Sequence, residues 1–237
     1  MSTPISDQGT AKLEEPAVAS KKSLPALYCD LTKARLTALV LLTTFVGFFL
    51  GSSTSVDWVL LLWTLIGTAL AAGAASALNQ LVEGSLDSRM TRTQKRPIPS
   101  GAMGRAHAFI AGMIMGYLGL AILALLVNLL AAGLALITIV VYVLIYTPLK
   151  TRSTLNTLIG AICGALPPLI GWVAATDSLQ GGGWLLAAIL FVWQLPHFFA
   201  LAWMYREDYR RGGFKMLPVV DETGRLTSET IVITSLC

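Results

Sequence analysis

The chain is 237 residues long, 55% hydrophobic and only 13% charged, with a mean hydropathy of +0.70 and a formal net charge of +4. A water-soluble domain of this size carries roughly a quarter charged residues, so a soluble globular class is excluded and a polytopic membrane protein is implied. The three cysteines, Cys29, Cys163 and Cys237, form no close-spaced pair, which excludes a disulfide framework and a Cys-based zinc site.

Residues 1–30 are polar and mixed in charge, with Glu14, Glu15, Lys21 and Lys22. They lack the apolar core of a signal peptide and the acid-poor composition of a transit peptide. A disordered cytoplasmic tail is expected there, ahead of one transmembrane domain over 31–237, and the missing transit segment favours a bacterial inner membrane. Six apolar segments follow, at about 36–54, 58–82, 106–127, 129–148, 154–175 and 184–205, each long enough to cross a ~30 Å hydrocarbon core. The expected fold class is therefore all-α, a bundle of six complete spans plus the start of a seventh near Leu226 that is cut off at Cys237. The short joint at Val127–Asn128 makes the third and fourth spans an antiparallel hairpin.

All 17 Lys and Arg lie in the tail and in the connections after spans two, four and six, and none in the other three connections. The positive-inside rule then puts the N-terminus and all the charged loops in the cytoplasm. Cations there satisfy topology alone, so only the residues beside them can indicate chemistry.

After span two, Asn79, Glu83 and Asp87 stand at i, i+4 and i+8. On a helix this spacing drifts only ~40° and rises ~6 Å per step, so the three share one stripe. Such oxygen donors suit Mg²⁺, which is usually held by one or two carboxylates together with phosphate oxygens. The same pattern fits a solvated helix end whose acids balance neighbouring arginines, and Gly84 and Ser85 are positioned to loosen the helix. Next come Arg92, Lys95 and Arg96, donors suited to phosphate, in a loop stiffened by Pro97 and Pro99. A second charged stretch, YREDYRRGGFKMLP from Tyr205 to Pro218, offers Glu207 and Asp208 as metal ligands and Arg206, Arg210 and Arg211 as phosphate partners. Tyr146 and Lys150 lie at the same face, where an interfacial Tyr and a following Lys are also ordinary. Within span six, WQLPHF places Gln194 and His197 in an apolar helix beside Pro196; they suit a porphyrin contact, proton transfer or a helix-helix hydrogen bond. Two charged corners on one membrane face, with long apolar helices between them, fit a substrate with an anionic head and a greasy tail, such as a polyprenyl diphosphate.

These strings together resemble the protohaem IX farnesyltransferases, a branch of the UbiA-type intramembrane prenyltransferases. The superfamily stripe NxxxDxxxD reads here Asn79-xxx-Glu83-xxx-Asp87, with Glu for the first Asp. The branch is marked by MTRTQKRPIPSG (Met90 to Gly101), NTLIGAICGALPPLIGW (Asn156 to Trp172), WQLPHFFALAW (Trp193 to Trp203) and REDYRRGGFKMLP (Arg206 to Pro218), and the resemblance runs from about Tyr28 to the end.

The resemblance implies about nine spans in a ring around a central cavity, so the chain reads as a fragment whose cavity would open to lipid. It implies farnesyl transfer from farnesyl diphosphate to a vinyl group of haem b, giving haem O for terminal oxidases. Asn79, Glu83, Asp87 and Asp208 are implied as catalytic, with Glu207 joining them as a metal ligand. Arg92, Lys95, Arg96, Tyr146, Lys150 and Arg211 are implied on the diphosphate, and Gln194 and His197 on the haem side. The implied cofactor is Mg²⁺. The implied partners are farnesyl diphosphate, haem b, the lipid bilayer, and haem A synthase or oxidase assembly factors, with no nucleic acid. Ala34 stands where the family usually has Pro, and Glu207 and Asp208 are adjacent rather than four apart, which weakens the case for a second magnesium. The competing readings are an aromatic acceptor such as 4-hydroxybenzoate, a transporter, and an inactive assembly fragment.

Overall fold

A computed structural model describes residues 22–53 and 55–236. Among the described residues, six helices are long and apolar enough to cross a membrane: α2 (Ala34–Gly51), α3 (Trp58–Asp87), α4 (Arg105–Leu126), the segment Leu129–Leu149, α7 (Asn156–Thr176) and α8 (Gly181–Met204). The fourth of these is composite. It comprises α5 (Leu129–Val140), a π-helical stretch over Val141–Tyr146 and the single turn α6 (Thr147–Leu149). Short helices α1 (Leu24–Leu31), α9 (Arg206–Gly212) and α10 (Leu217–Val220) lie at the charged end, and α11 (Arg225–Ser235) packs back on α8.

Most of the expected disordered tail falls outside the described residues. From Leu24 onward the chain is already helical, because Pro25 presets the first turn and Leu27 and Leu31 bury against Ala77, Ile98 and Ala108. The end of α1 is tied down by α3: Ser76 Oγ donates to the Leu31 carbonyl at 2.9 Å, and Gln80 Nε2 donates to the same oxygen at 2.8 Å. These side chains satisfy carbonyls that a helix C-terminus leaves unpaired.

α3 is 30 residues long, about 45 Å at 1.5 Å per residue, and so outruns a ~30 Å hydrocarbon core. Its last turns therefore project beyond lipid, and they carry the acidic stripe. The helix runs through Gly84 and Ser85 without a break, since Gly84 is held under Ile98 of the following loop. At the other end Asp57 caps it, accepting from the amides of Val59 and Leu60 at 3.0 and 2.9 Å. The α4–α5 joint at Val127–Asn128 is as short as expected; Asn128 caps α5 through the Ala131 amide and donates to the Val173 carbonyl of α7.

Lipid is as apolar as leucine, so the spans associate through close packing of small residues. Gly112, Gly116 and Gly119 of α4 face Ala74, Ala77 and Gly67 of α3. α2 and α7 meet backbone to backbone: a Cβ on Gly47 would lie 1.9 Å from the Pro168 carbonyl oxygen, and one on Gly171 would lie 1.9 Å from that of Thr44. Neither backbone can retreat as a flexible side chain would. Gly171→Ala is therefore expected to destabilise by more than the ~1–3 kcal/mol of ordinary overpacking, read as lost monodisperse yield in detergent. Gly133→Ala, with nothing within 4 Å of the added atom, is the matched control. α7 and α3 are the most enclosed spans, at 61% and 50% buried, and the rest present Leu, Ile, Val and Phe outward.

The expected seventh span is represented by the 11 residues of α11. Its start is capped by Asp221, which accepts from the Thr227 amide at 2.7 Å and the Thr227 hydroxyl at 2.8 Å. Those donors, the amide foremost, hold the Asp221 carboxyl below the usual carboxylate range.

Candidate active site

Asn79, Glu83 and Asp87 form one buried stripe along the last turns of α3, each 3% exposed or less. Each meets a cation delivered by a different part of the chain. Lys33 Nζ donates to Asn79 Oδ1 at 3.2 Å, Lys150 Nζ lies 2.7 Å from Glu83 Oε1, and Arg96 Nη1 donates to Asp87 Oδ2 at 2.6 Å. Asp87 Oδ1 is buried and receives no hydrogen bond. Such an orphaned carboxylate oxygen calls for an explanation, a bound ion among them.

Local structure explains how each cation arrives. Lys33 sits in the two-residue turn between α1 and α2 with φ at 51°, a left-handed conformation that costs a non-glycine residue roughly 1 kcal/mol. The tether of α1 to α3 fixes that turn and aims the lysine at the stripe. Burial, with Arg96 and Lys150 adding to it, pulls the Lys33 ammonium down to about 7, while Glu83 and Asp87 pull the other way. Lys150 follows the π-helical stretch, which also rotates Thr147 inward to accept from Asn79 Nδ2 at 2.9 Å. π-bulges recur at functional positions because the extra residue re-aims side chains. Lys150 stands 4.5 Å from the centre of the Tyr146 ring, which itself rests against Gly160. Burial disfavours the Lys150 ammonium, yet its contact with Glu83 more than offsets this and raises its affinity for the proton.

Asp208 does separate work. It is buried, and its two oxygens accept from the Thr91 and Arg92 amides at 3.2 and 3.1 Å and from Arg211. Burial alone would raise its pKa, but Arg211 and the two amides together bring it below the usual carboxylate range. Arg211 also donates to Thr91 Oγ1 at 2.9 Å. The same joint is pinned by apolar contact, Met90 burying against Phe214, Met216 and Ala202. Lys215 donates its amide to the Lys150 carbonyl at 2.7 Å, and Asn156 Nδ2 donates to the Lys215 carbonyl at 3.1 Å. The two charged stretches, more than a hundred residues apart in sequence, thus close on one another at one end of the bundle.

The other expected site residues are distributed around this centre. Arg92 stacks between Tyr205 and Tyr209, with centroids 5.1 and 5.7 Å away. Lys95, Arg92, Arg96 and Lys33 line an open basic cleft of about 760 Å³ with Lys22 and Arg35. Glu207 is exposed and pairs with Arg210 at 2.8 Å. Gln194 is buried tightly against Gly164 and donates to the Leu190 carbonyl of its own helix at 3.0 Å. His197 is exposed and stacked on Trp193, 5.3 Å between centroids.

Among the described residues, no three His, Cys, Asp or Glu side chains gather closely enough to hold a metal by themselves. The donor set at the stripe is one amide and two carboxylates. That set fits Mg²⁺ only when phosphate oxygens complete its shell. Lys33 and Thr147 were not singled out as site residues from sequence: a lysine before the first span counts there only as a topological charge.

Comparison with known proteins agrees with this geometry. The model of the UbiA prenyltransferase family matches residues 40–237. The Protoheme IX farnesyltransferase of Solibacter usitatus is 46% identical over 222 residues, covering 87% of this chain and 74% of its own length. The mitochondrial Protoheme IX farnesyltransferase of Homo sapiens is 46% identical over 196 residues, 83% of this chain and 44% of its own length. Among solved structures, a UbiA homologue from Archaeoglobus fulgidus bound to GPP and Mg²⁺ superposes with a TM-score of 0.71 at 17% identity, over 89% of this chain and 74% of that one. The cations and most of the carboxylates gather at one end of a multi-pass bundle rather than at mid-depth as in a transporter, and by fold and sequence the chain belongs to the UbiA prenyltransferase family, in its protohaem IX farnesyltransferase branch.

Proposed function

We propose that this chain transfers a farnesyl group from farnesyl diphosphate to a vinyl group of haem b, producing haem O, with the α3 stripe as the centre of diphosphate binding. The observation that carries this reading is the buried row Asn79, Glu83, Asp87 facing three cations beside a basic cleft. A site with carboxylates and cations at one end, continuing into an apolar bundle, matches a diphosphate head and a hydrocarbon tail.

Mg²⁺ held by Asn79, Glu83 and Asp87 would neutralise charge on the diphosphate as it leaves. Arg96, Lys150, Arg92, Lys95 and Arg211 face the charge that grows on its oxygens, and Tyr146 orients it beneath Lys150. Preorganised donors of this kind act by stabilising charge that develops in the transition state. The allylic C–O bond breaks and diphosphate departs with the electron pair. The vinyl group of haem b then bonds to the farnesyl carbon, and water adds to the resulting cation with loss of one proton, leaving a hydroxyl. The apolar helices keep water from the farnesyl carbon until the vinyl group has reacted. Gln194 and His197 belong to the haem side in this scheme, and Glu207 stands at its rim. In this reading the Lys and Arg bias favours the cytoplasmic side of the membrane for the site.

Membranes carrying the full protein, given farnesyl diphosphate with haem b or with 4-hydroxybenzoate, decide the acceptor by mass spectrometry of the product. A farnesylated hydroxyethyl haem is expected; a prenylated benzoate would overturn the assignment. Asp208→Ala is expected to abolish haem O formation while membrane insertion persists. It also frees the Thr91 and Arg92 amides, so faster proteolysis between residues 88 and 104 is expected. Because folding lowers the Asp208 pKa, its contribution is complete above the ordinary carboxylate range and disappears as pH falls through the depressed value. The wild-type loop is therefore expected to become protease-sensitive only on strong acidification.

A further inference from the structure

The stripe is already fully countered by the protein itself. Asn79, Glu83 and Asp87 each hold one cation, Lys33, Lys150 and Arg96 in turn, at 3.2, 2.7 and 2.6 Å. These come from the α1–α2 turn, the end of α6 and the loop after α3, so the one-to-one match is a tertiary arrangement and not a local salt-bridge ladder. Lys150 and Arg96 already match the two carboxylates and the Lys33 amine stands beside them, so the cluster carries no net negative charge to attract a metal. A dication entering alone would meet Lys150 and Arg96 at contact distance in a partly buried site, where electrostatic repulsion is poorly screened. Yet Asp87 Oδ1 remains buried without a donor, so the site is not saturated as a ligand set. What it lacks is negative charge.

Building on the functional reading above, we propose that Lys33, Lys150 and Arg96 act on the stripe as internal counter-ions, which an incoming diphosphate must draw off before a divalent cation can enter. The diphosphate supplies several negative charges and acceptor oxygens within reach of the same flexible side chains. As these cations turn to phosphate, the oxygens of Asn79, Glu83 and Asp87 are released to the metal. Metal and diphosphate therefore load together, and the pocket does not collect magnesium without substrate. Lys33 acquires a defined role as a positioning residue. Its left-handed backbone and its tether through Ser76 and Gln80 hold its ammonium on Asn79, a neutral partner that a lysine reaches only when aimed there.

The test is Mn²⁺ binding followed by electron paramagnetic resonance on the purified full protein in nanodiscs, with and without the unreactive analogue farnesyl thiodiphosphate. Wild type is expected to bind Mn²⁺ far more tightly with the analogue present than without it. Lys33→Met removes a cation without stranding a buried carboxylate, and is expected to bind Mn²⁺ alone about tenfold more tightly than wild type does. Arg96→Gln is expected to move in the same direction and to weaken the analogue. Wild type binding Mn²⁺ equally well with and without analogue overturns the proposal, as does an unchanged metal affinity in Lys33→Met. These two results leave the diphosphate-and-metal reading of the site intact. Failure of wild type to take up Mn²⁺ even with the analogue overturns both.

Discussion

Asp87→Asn is expected to lower haem O formation by roughly 10²–10³-fold, the usual loss when one charge-stabilising group is removed from such a site. The change keeps the volume of a side chain that is 1% exposed, so packing against the following loop survives. What it removes is the negative charge that holds Arg96 at 2.6 Å and leaves Oδ1 open to a metal. Farnesyl diphosphate turnover in membranes, with protein quantity matched by immunoblot, measures the effect. If the stripe were merely a solvated helix end balancing nearby arginines, the same substitution would change turnover only a few-fold. Removal of divalent cations with EDTA should reproduce the loss in wild type and add nothing to it in Asp87→Asn. Restoration of wild-type turnover by Mg²⁺ should occur in the first case only.

The second large effect separates stability from chemistry. Glu83 and Lys150 are a nearly buried pair, with side chains 4% and 11% exposed. Breaking such a pair from one side strands a charge in a poorly solvated place and costs about 3–5 kcal/mol, whereas replacing both partners with neutral groups is often close to neutral. Glu83→Gln and Lys150→Met are each expected to lower the unfolding midpoint in detergent, and the double substitution to recover most of it. Activity should not recover in the double variant, because both the metal ligand and the phosphate cation are gone. A double variant as unstable as the singles would mean that the pair is held by packing rather than by charge. A double variant that regains turnover would remove both residues from the mechanism.

The i, i+4, i+8 spacing of Asn79, Glu83 and Asp87 is a local property of one helix, and helical periodicity alone puts all three on a single stripe. Apolar lengths fixed the six spans in the same way, and the two-residue joint at Val127–Asn128 dictated the α4–α5 hairpin. Lys150 and Arg96 were legible as cations near the stripe, but not which carboxylate each would meet. Asp208 was read as a metal ligand from its charge and position; in the fold both of its oxygens are engaged by the Thr91 and Arg92 amides and Arg211.

What repeats or alternates over a few residues was legible in the chain alone: the spans, the distribution of positive charge between them, the stripe, and the family strings. Which distant groups meet is set by the packing of the helices against one another. Lys33 reaches Asn79 because side chains of α3 cap the end of α1, Thr147 turns inward because the fourth span loosens into a π-helix, and His197 stacks on Trp193. Such contacts depend on how helices settle against one another through small residues, and helical periodicity reports the direction of a side chain within its own helix without naming the partner that stands across from it.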